Sequence, residues 1–229
     1  MKLILFDIDG TLIWGDGAAR RSFEGALAEV FGTAGDPAVR YDGKTDRQIA
    51  RELMRPEGFD DAEIDARLDA VIAGYLARLR REVAEDRGRF ERLPGVAELL
   101  DALEPRDDVV LGLLTGNVAG GAAVKLGAAE IDVARFRVNA FGCDAEARPE
   151  LPRIAQRRAR ELLGLEFAGD DIVVIGDTPA DVLCARSVSA RTLAVATGRY
   201  SVDELAEHAP TAVVRDLSDT DAVVATLLG

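Results

Sequence analysis

An α/β fold, a Rossmann-like parallel sheet covered by helices with an all-helical insert after its first strand, is what this 229-residue sequence predicts. Three observations carry that prediction. Short apolar runs recur along the chain and are continuous rather than alternating, as in strands buried on both faces. Helical patterns lie between them, and strand–helix–strand alternation argues for a parallel sheet. One long stretch near the N-terminus has helical periodicity and no convincing strand.

The expected strands are Leu3–Ile8, Val109–Thr115, Phe136–Phe141, Asp171–Asp177 and Arg191–Thr197, with a short edge strand at Thr211–Val214. Helical patterns cover Val96–Leu103, Arg153–Leu163 and Ala180–Arg186, and Ser201 with Glu204 forms a capping box that starts another. Between Gly17 and Arg89, Phe23, Leu27, Val30 and Phe31 recur at helical spacing. A longer stripe follows at Ile64, Leu68, Val71, Ile72, Tyr75, Leu76, Leu79 and Val83. "RPEGFDD" reads as a helix-ending loop before that second stripe. Residues 1–16 and 90–229 are therefore expected to form the α/β core, and 17–89 a helical cap. An insert at that point hangs over the C-terminal edge of strand one, where open α/β sheets bind ligands.

Composition narrows the function. Nearly half the residues are hydrophobic, which argues against disorder. A net charge of −13 repels nucleic acid and anionic membranes. No window reaches the roughly 18 apolar residues of a membrane span, and the "LILF" run before Asp7 is too short for a signal peptide. Cys143 and Cys184 lack metal-ligand spacing and read as two reduced, buried thiols, so a cytoplasmic protein is expected. The single histidine, His208, reads as a helix-end residue, which leaves little room for histidine-based catalysis.

Three strands end in polar residues. The first runs into Asp7 and Asp9, the second into Thr115, Gly116 and Asn117, and the fourth into Asp177 and, just beyond, Asp181. A parallel sheet puts these ends on one side, with four carboxylates and a hydroxyl within reach of one another. Such carboxylates repel unless a cation sits among them, and an all-oxygen donor set suits Mg²⁺. Residues i and i+2 of a strand point the same way, so Asp7 and Asp9 can address one substrate, although the "DGT" turn can rotate Asp9. One can attack while the other moves a proton. Thr115 and the N–H groups after it can hold an anion, and Gly10 and Gly116 permit close backbone approach.

"DIDGTL", "LLTGN" and "GDTPAD", in this order and spacing, resemble the motifs of the haloacid dehalogenase superfamily, in its phosphoglycolate-phosphatase-like branch. The helical insert, "GKTD" at Gly43–Asp46 and "LPGVAELL" at Leu93–Leu100 are similar to that branch as well, so the resemblance covers nearly the whole chain. It implies a Mg²⁺-dependent phosphatase acting on a small phosphorylated metabolite, as a monomer or homodimer. Asp7 would be the nucleophile that forms an aspartyl-phosphate, Asp9 the general acid and then base, and Thr115 the holder of phosphoryl oxygens. Asp7, the backbone carbonyl of Asp9, Asp177 and Asp181 would ligate Mg²⁺. The chain departs from the pattern where a lysine is usual: "RPELP" puts Arg148 there, with Lys125 and Arg153 as alternatives. Lys44 and Asp46 are candidates for reaching the site from the cap, although Asp46 also fits a plain helix cap. Trp14 and Arg20 read as core or surface residues, and "GNVAGGAAVKLG" as a turn into a helix. A phosphomutase resembling β-phosphoglucomutase would use the same residues. A dehalogenase would lack the second aspartate, and a catalytically inactive phosphate-binding or regulatory protein would not need this full set.

Overall fold

The computed structural model describes residues 1–229, the side chain of Arg87 excepted. Six strands form one parallel sheet: β1 (Lys2–Phe6), β4 (Val109–Leu114), β5 (Val138–Ala140), β6 (Ile172–Gly176), β7 (Arg191–Val195) and β8 (Ala212–Val214). Their spatial order is β5-β4-β1-β6-β7-β8. The chain grows outward from β1 through β4 and β5, then returns to place β6 on the other side of β1 and continues outward again. The strand order therefore reverses between β1 and β6, the position at which open α/β sheets form a ligand crevice.

The continuous apolar runs follow from this burial. Leu3 and Leu5 of β1 pack into a cluster with Val110, Leu114 and Val174 on one face. Ile4 and Phe6 join Leu111, Leu113, Val173 and Ile175 on the other. Every residue of β4 and β6 is buried, so neither strand has a solvent face on which polar residues could alternate.

Two short strands lay outside the sequence expectations. β2 (Ile13–Gly15) and β3 (Phe90–Arg92) pair antiparallel, Trp14 opposite Glu91. Between them run three helices, α1 (Ala18–Phe31), α2 (Asp46–Met54) and α3 (Asp61–Glu85). The apolar stripes are the reason α1 and α3 pack together: Phe23, Leu27, Ile64, Val71, Tyr75 and Leu79 are all buried. Asp60 and Glu63 close a capping box at the start of α3. Five further helices cover the sheet: α4 (Val96–Leu103), α5 (Ala119–Ala128), α6 (Leu151–Leu163), α7 (Pro179–Ala185) and α9 (Thr220–Leu228). α8 (Val202–Ala206) opens on the Ser201/Glu204 capping box. One apolar cluster runs unbroken from Ile4 and Phe6 of the sheet to Phe23 and Tyr75 of the helical stretch.

Two smaller expectations are corrected. Cys143 is exposed and only Cys184 is buried, because Cys143 lies in the irregular segment after β5 rather than in an element. Asp46 does not cap α2. Thr45 does, its hydroxyl accepting from the Gln48 N–H at 3.1 Å, and Asp46 turns elsewhere. No helix among the described residues is long and apolar enough to cross a membrane.

Candidate active site

The site is assembled at the C-terminal ends of β1, β4 and β6. The Asp7 N–H donates to the Ile175 carbonyl at 2.9 Å, which carries the β1–β6 ladder one residue past β1 and fixes the Asp7 side chain beside Asp177. Asp181 sits in the first turn of α7. There its carboxylate accepts from the Thr178 N–H at 3.0 Å and its own N–H donates to the Thr178 hydroxyl, with Pro179 in the first turn. This reciprocal cap satisfies the helix end and aims the second carboxylate oxygen at the sheet. Asp7, Asp177 and Asp181 are all buried, and one oxygen from each lies within 4.8 Å of the others.

Arg148 enters this cluster from the turn before α6. It is 4% exposed, its Nη2 lies 3.2 Å from Asp7 Oδ1, and it is ion-paired with Asp181. Among the described residues its Nε finds no hydrogen-bond partner. Three carboxylates against one guanidinium leave the cluster two negative charges in excess. Burial lifts the Asp7 carboxyl from 3.8 to about 6; Arg148 opposes the rise, and Asp181 and Asp9 add to it. Burial, then Asp181 and Asp7, raise Asp177 well above the ordinary range. For Arg148 burial disfavours the charge, but Asp181 and Asp7 outweigh it and the net direction is upward. A buried, all-oxygen donor set short of two positive charges fits a divalent cation.

Asp9 is not part of that cluster. The strand stops at Phe6, and the N–H groups of Thr11, Leu12 and Ile13 all turn back onto the Ile8 carbonyl. Gly10 makes this possible with φ +83° and no Cβ, because a Cβ there would lie 2.3 Å from Asp177 Oδ2. The same-face rule for i and i+2 thus lapses, and the expectation of four converging carboxylates becomes three plus one. The Asp9 carboxylate instead accepts from Lys125 Nζ at 2.9 and 2.8 Å and from Asn117 Nδ2 at 2.8 Å. Lys125 is buried and also donates to Asn117 Oδ1 at 2.6 Å. Asn117 Nδ2 is within 2.8 Å of Thr115 Oγ1 as well, so Thr115, Asn117, Lys125 and Asp9 form one connected set.

The remaining candidates separate cleanly. Arg153 is exposed and turned to the Ser187 carbonyl, away from the cluster. Lys44 lies at the cavity but is ion-paired with Glu52. Asp46 is buried and accepts from the Val118 N–H at 2.8 Å, at the start of α5, while its own N–H donates to the Gly116 carbonyl at 3.0 Å. Burial lifts its carboxyl to about 6 against the pull of Lys125. The chain around Lys44 and Thr45 packs so closely on Gly116 that a Cβ there would meet the Lys44 carbonyl at 2.0 Å. A cavity of about 710 Å³ opens above these groups, lined among others by Asp7, Asp9, Thr115, Gly116, Asn117, Arg148 and Asp177. Trp14, Arg20 and Tyr75 line it too. Trp14 and Arg20, which read from the sequence as core or surface residues, are thus lining residues, and no local pattern marks them as such.

A six-stranded parallel sheet with helices, whose reversal point carries buried carboxylates under a cavity, defines an α/β enzyme with an acidic site. The chain belongs to the haloacid dehalogenase-like hydrolases, the family whose model matches residues 1–188. It is 28% identical over 228 residues to phosphoglycolate phosphatase 1 of Pseudomonas aeruginosa, covering 95% of this chain and 78% of that one. Its fold is similar to a hydrolase from Pseudomonas syringae (TM-score 0.73, 21% identity, 98% of both chains). It is equally similar to CbbY from Rhodobacter sphaeroides, solved in complex with phosphate (TM-score 0.73, 19% identity, 96% of both chains).

Proposed function

We propose that this hydrolase is a Mg²⁺-dependent phosphatase of small phosphate monoesters that works through an aspartyl-phosphate. The observation that carries the reading is the position of Asp7. Its carboxylate stands at the floor of the cavity, inside a three-carboxylate cluster, with the Arg148 guanidinium 3.2 Å away. Family membership and the phosphoglycolate phosphatase relative support it.

In this reading an Asp7 carboxylate oxygen attacks phosphorus, and the ester oxygen leaves as an alcohol with a proton from Asp9. Asp9 then takes a proton from water, whose oxygen attacks the phosphorus of the aspartyl-phosphate and frees Asp7 and inorganic phosphate. Lys125 and Asn117 hold Asp9 beside the cavity between these steps. Thr115 and the backbone N–H groups after it bind phosphoryl oxygens, and Arg148 offsets the charge of nucleophile and phosphate. Asp7, Asp177, Asp181 and the Asp9 carbonyl would hold Mg²⁺, which supplies charge neutralisation for the transferring group. Residues 17–89 act as a cap, with Asp46 and Lys44 at its contact with the core.

The test is turnover of a panel of phosphate monoesters with Mg²⁺ and then with EDTA, without any bisphosphate activator. Asp7→Asn should abolish turnover while keeping the fold, since an amide cannot form the acyl phosphate. Wild-type rates in that variant, or rates indifferent to EDTA, would remove the mechanism. A rate that requires a bisphosphate would replace the phosphatase with a phosphomutase.

A further inference from the structure

The cavity is larger than the bond cleavage requires. Its 710 Å³ falls within the roughly 300–1,000 Å³ of pockets that enclose drug-sized ligands. A phosphoryl group with a short acyclic leaving group fills only part of it.

Its charged lining is already engaged. Each cation that lines it has a carboxylate partner: Arg148 has Asp7 and Asp181, Lys125 has Asp9, Arg20 has Glu24 and Lys44 has Glu52. Arg40 and Arg199 share the single carboxylate of Asp42 and stay more than half exposed, so that pair keeps one positive charge in excess.

The aromatic lining differs. Phe23, Tyr75 and Phe90 are packed into the core and half-buried Tyr41 is covered by the Arg20 guanidinium 4.5 Å from its ring centroid, whereas Trp14 is 47% exposed. It is the only tryptophan of the chain. Ile13 is fully buried, so strand alternation turns Trp14 to the opposite face of the β2–β3 ribbon. Gly15 leaves room for the ring of its cross-strand partner Phe90, since a Cβ there would lie 2.8 Å from it. The indole is thus mounted on a paired strand five residues after Asp9. Among the described residues no ring or guanidinium stacks on it. A large flat apolar surface left uncovered in a substrate cavity matches a flat ring that can stack on it.

We propose that Trp14 is the stacking wall for the leaving group, and that the substrate is a phosphate monoester whose leaving group carries a flat ring. The proposal rests on the phosphatase reading above and narrows it.

Because Trp14 is the sole tryptophan, its emission reports on this site alone. The Asp7→Asn protein is titrated in Mg²⁺ with adenosine 5′-monophosphate, and separately with glycerol 3-phosphate. The ring-bearing ester should quench or shift the emission saturably, and the acyclic one should do so far less. In the active enzyme, Trp14→Ala should raise KM for adenosine 5′-monophosphate and phenyl phosphate about ten-fold more than for glycerol 3-phosphate, with kcat changed little. Trp14→Phe should restore much of the loss. Preference for phosphoglycolate or glycerol 3-phosphate over the ring-bearing esters, or equal losses for both kinds in Trp14→Ala, would overturn this inference and leave the phosphatase standing. Failure of every ester to turn over with Mg²⁺ would overturn the phosphatase reading and this inference with it.

Discussion

Arg148→Ala removes a cation that lies inside the acidic cluster, and its consequence can be worked from the geometry. At 3.2 Å and an effective dielectric constant of ~20, the Arg148–Asp7 attraction alone is about 5 kcal/mol. Desolvation of the guanidinium offsets part of this, and truncating one member of a buried pair typically costs ~3–5 kcal/mol. For a chain of this size each kcal/mol moves the melting temperature by about 2–4 °C, so metal-free Arg148→Ala should melt about 6–20 °C below the parent. The excess negative charge of the cluster grows from two to three, so saturating Mg²⁺ should narrow that gap. Turnover is a separate readout. Loss of one electrostatic stabiliser lowers kcat/KM by roughly 10²–10³, and Arg148→Lys should recover part of it, because charge is kept while the planar fork is lost. Circular dichroism checks the fold, scanning calorimetry with and without Mg²⁺ the stability, and steady-state kinetics the rate. Normal turnover in Arg148→Ala, or a melting deficit that widens with Mg²⁺, would refute the electrostatic argument.

Asp177→Asn should weaken Mg²⁺ binding at least ten-fold by removing a charged ligand, and should raise the melting temperature of the metal-free protein by relieving repulsion; isothermal titration and calorimetry check both. Asp7 and Asp46 carry carboxyls lifted from 3.8 to about 6, so the folded chain binds more protons than the unfolded chain between those values. Their contribution therefore destabilises the fold as pH rises through that window, by up to about 3 kcal/mol each. Melting in EDTA should show this as higher stability near pH 5 than near pH 7.5, with Mg²⁺ adding more stability at the higher pH. Lys125→Ala should cut kcat/KM, which reports the step that releases the alcohol, by about 10² for alkyl phosphates and much less for p-nitrophenyl phosphate, because a leaving group that needs no proton depends little on how Asp9 is held. Equal losses of kcat/KM on both would assign Lys125 a purely structural role.

Much of this site was written locally in the chain. Leu3–Phe6, Val109–Leu114 and Ile172–Gly176 are apolar on both faces, and each runs into its polar residues within a step or two. A parallel sheet then necessarily gathers Asp7, Thr115 and Asp177 at one edge. Asp181 follows from the Thr178–Asp181 cap, which is also local. Even Arg148 could be proposed from sequence, because it stands where a family pattern expects a cation.

What the chain could not disclose are contacts between segments with no shared local signal. Strands β2 and β3 are three residues each, too short for periodicity, and meet only because α1 to α3 return the chain to where it left. Trp14 is exposed because of that pairing, and no local pattern separates it from a core tryptophan. Asp9 parts from Asp7 because Gly10 folds the backbone sharply, and it finds Lys125 more than a hundred residues away. Asp46 looked like a cap for its own helix and serves the start of α5 instead. A side chain's type and its local geometry are set within a few residues, but its partner is set by how the whole core closes, and that closure is a property of the tertiary structure alone.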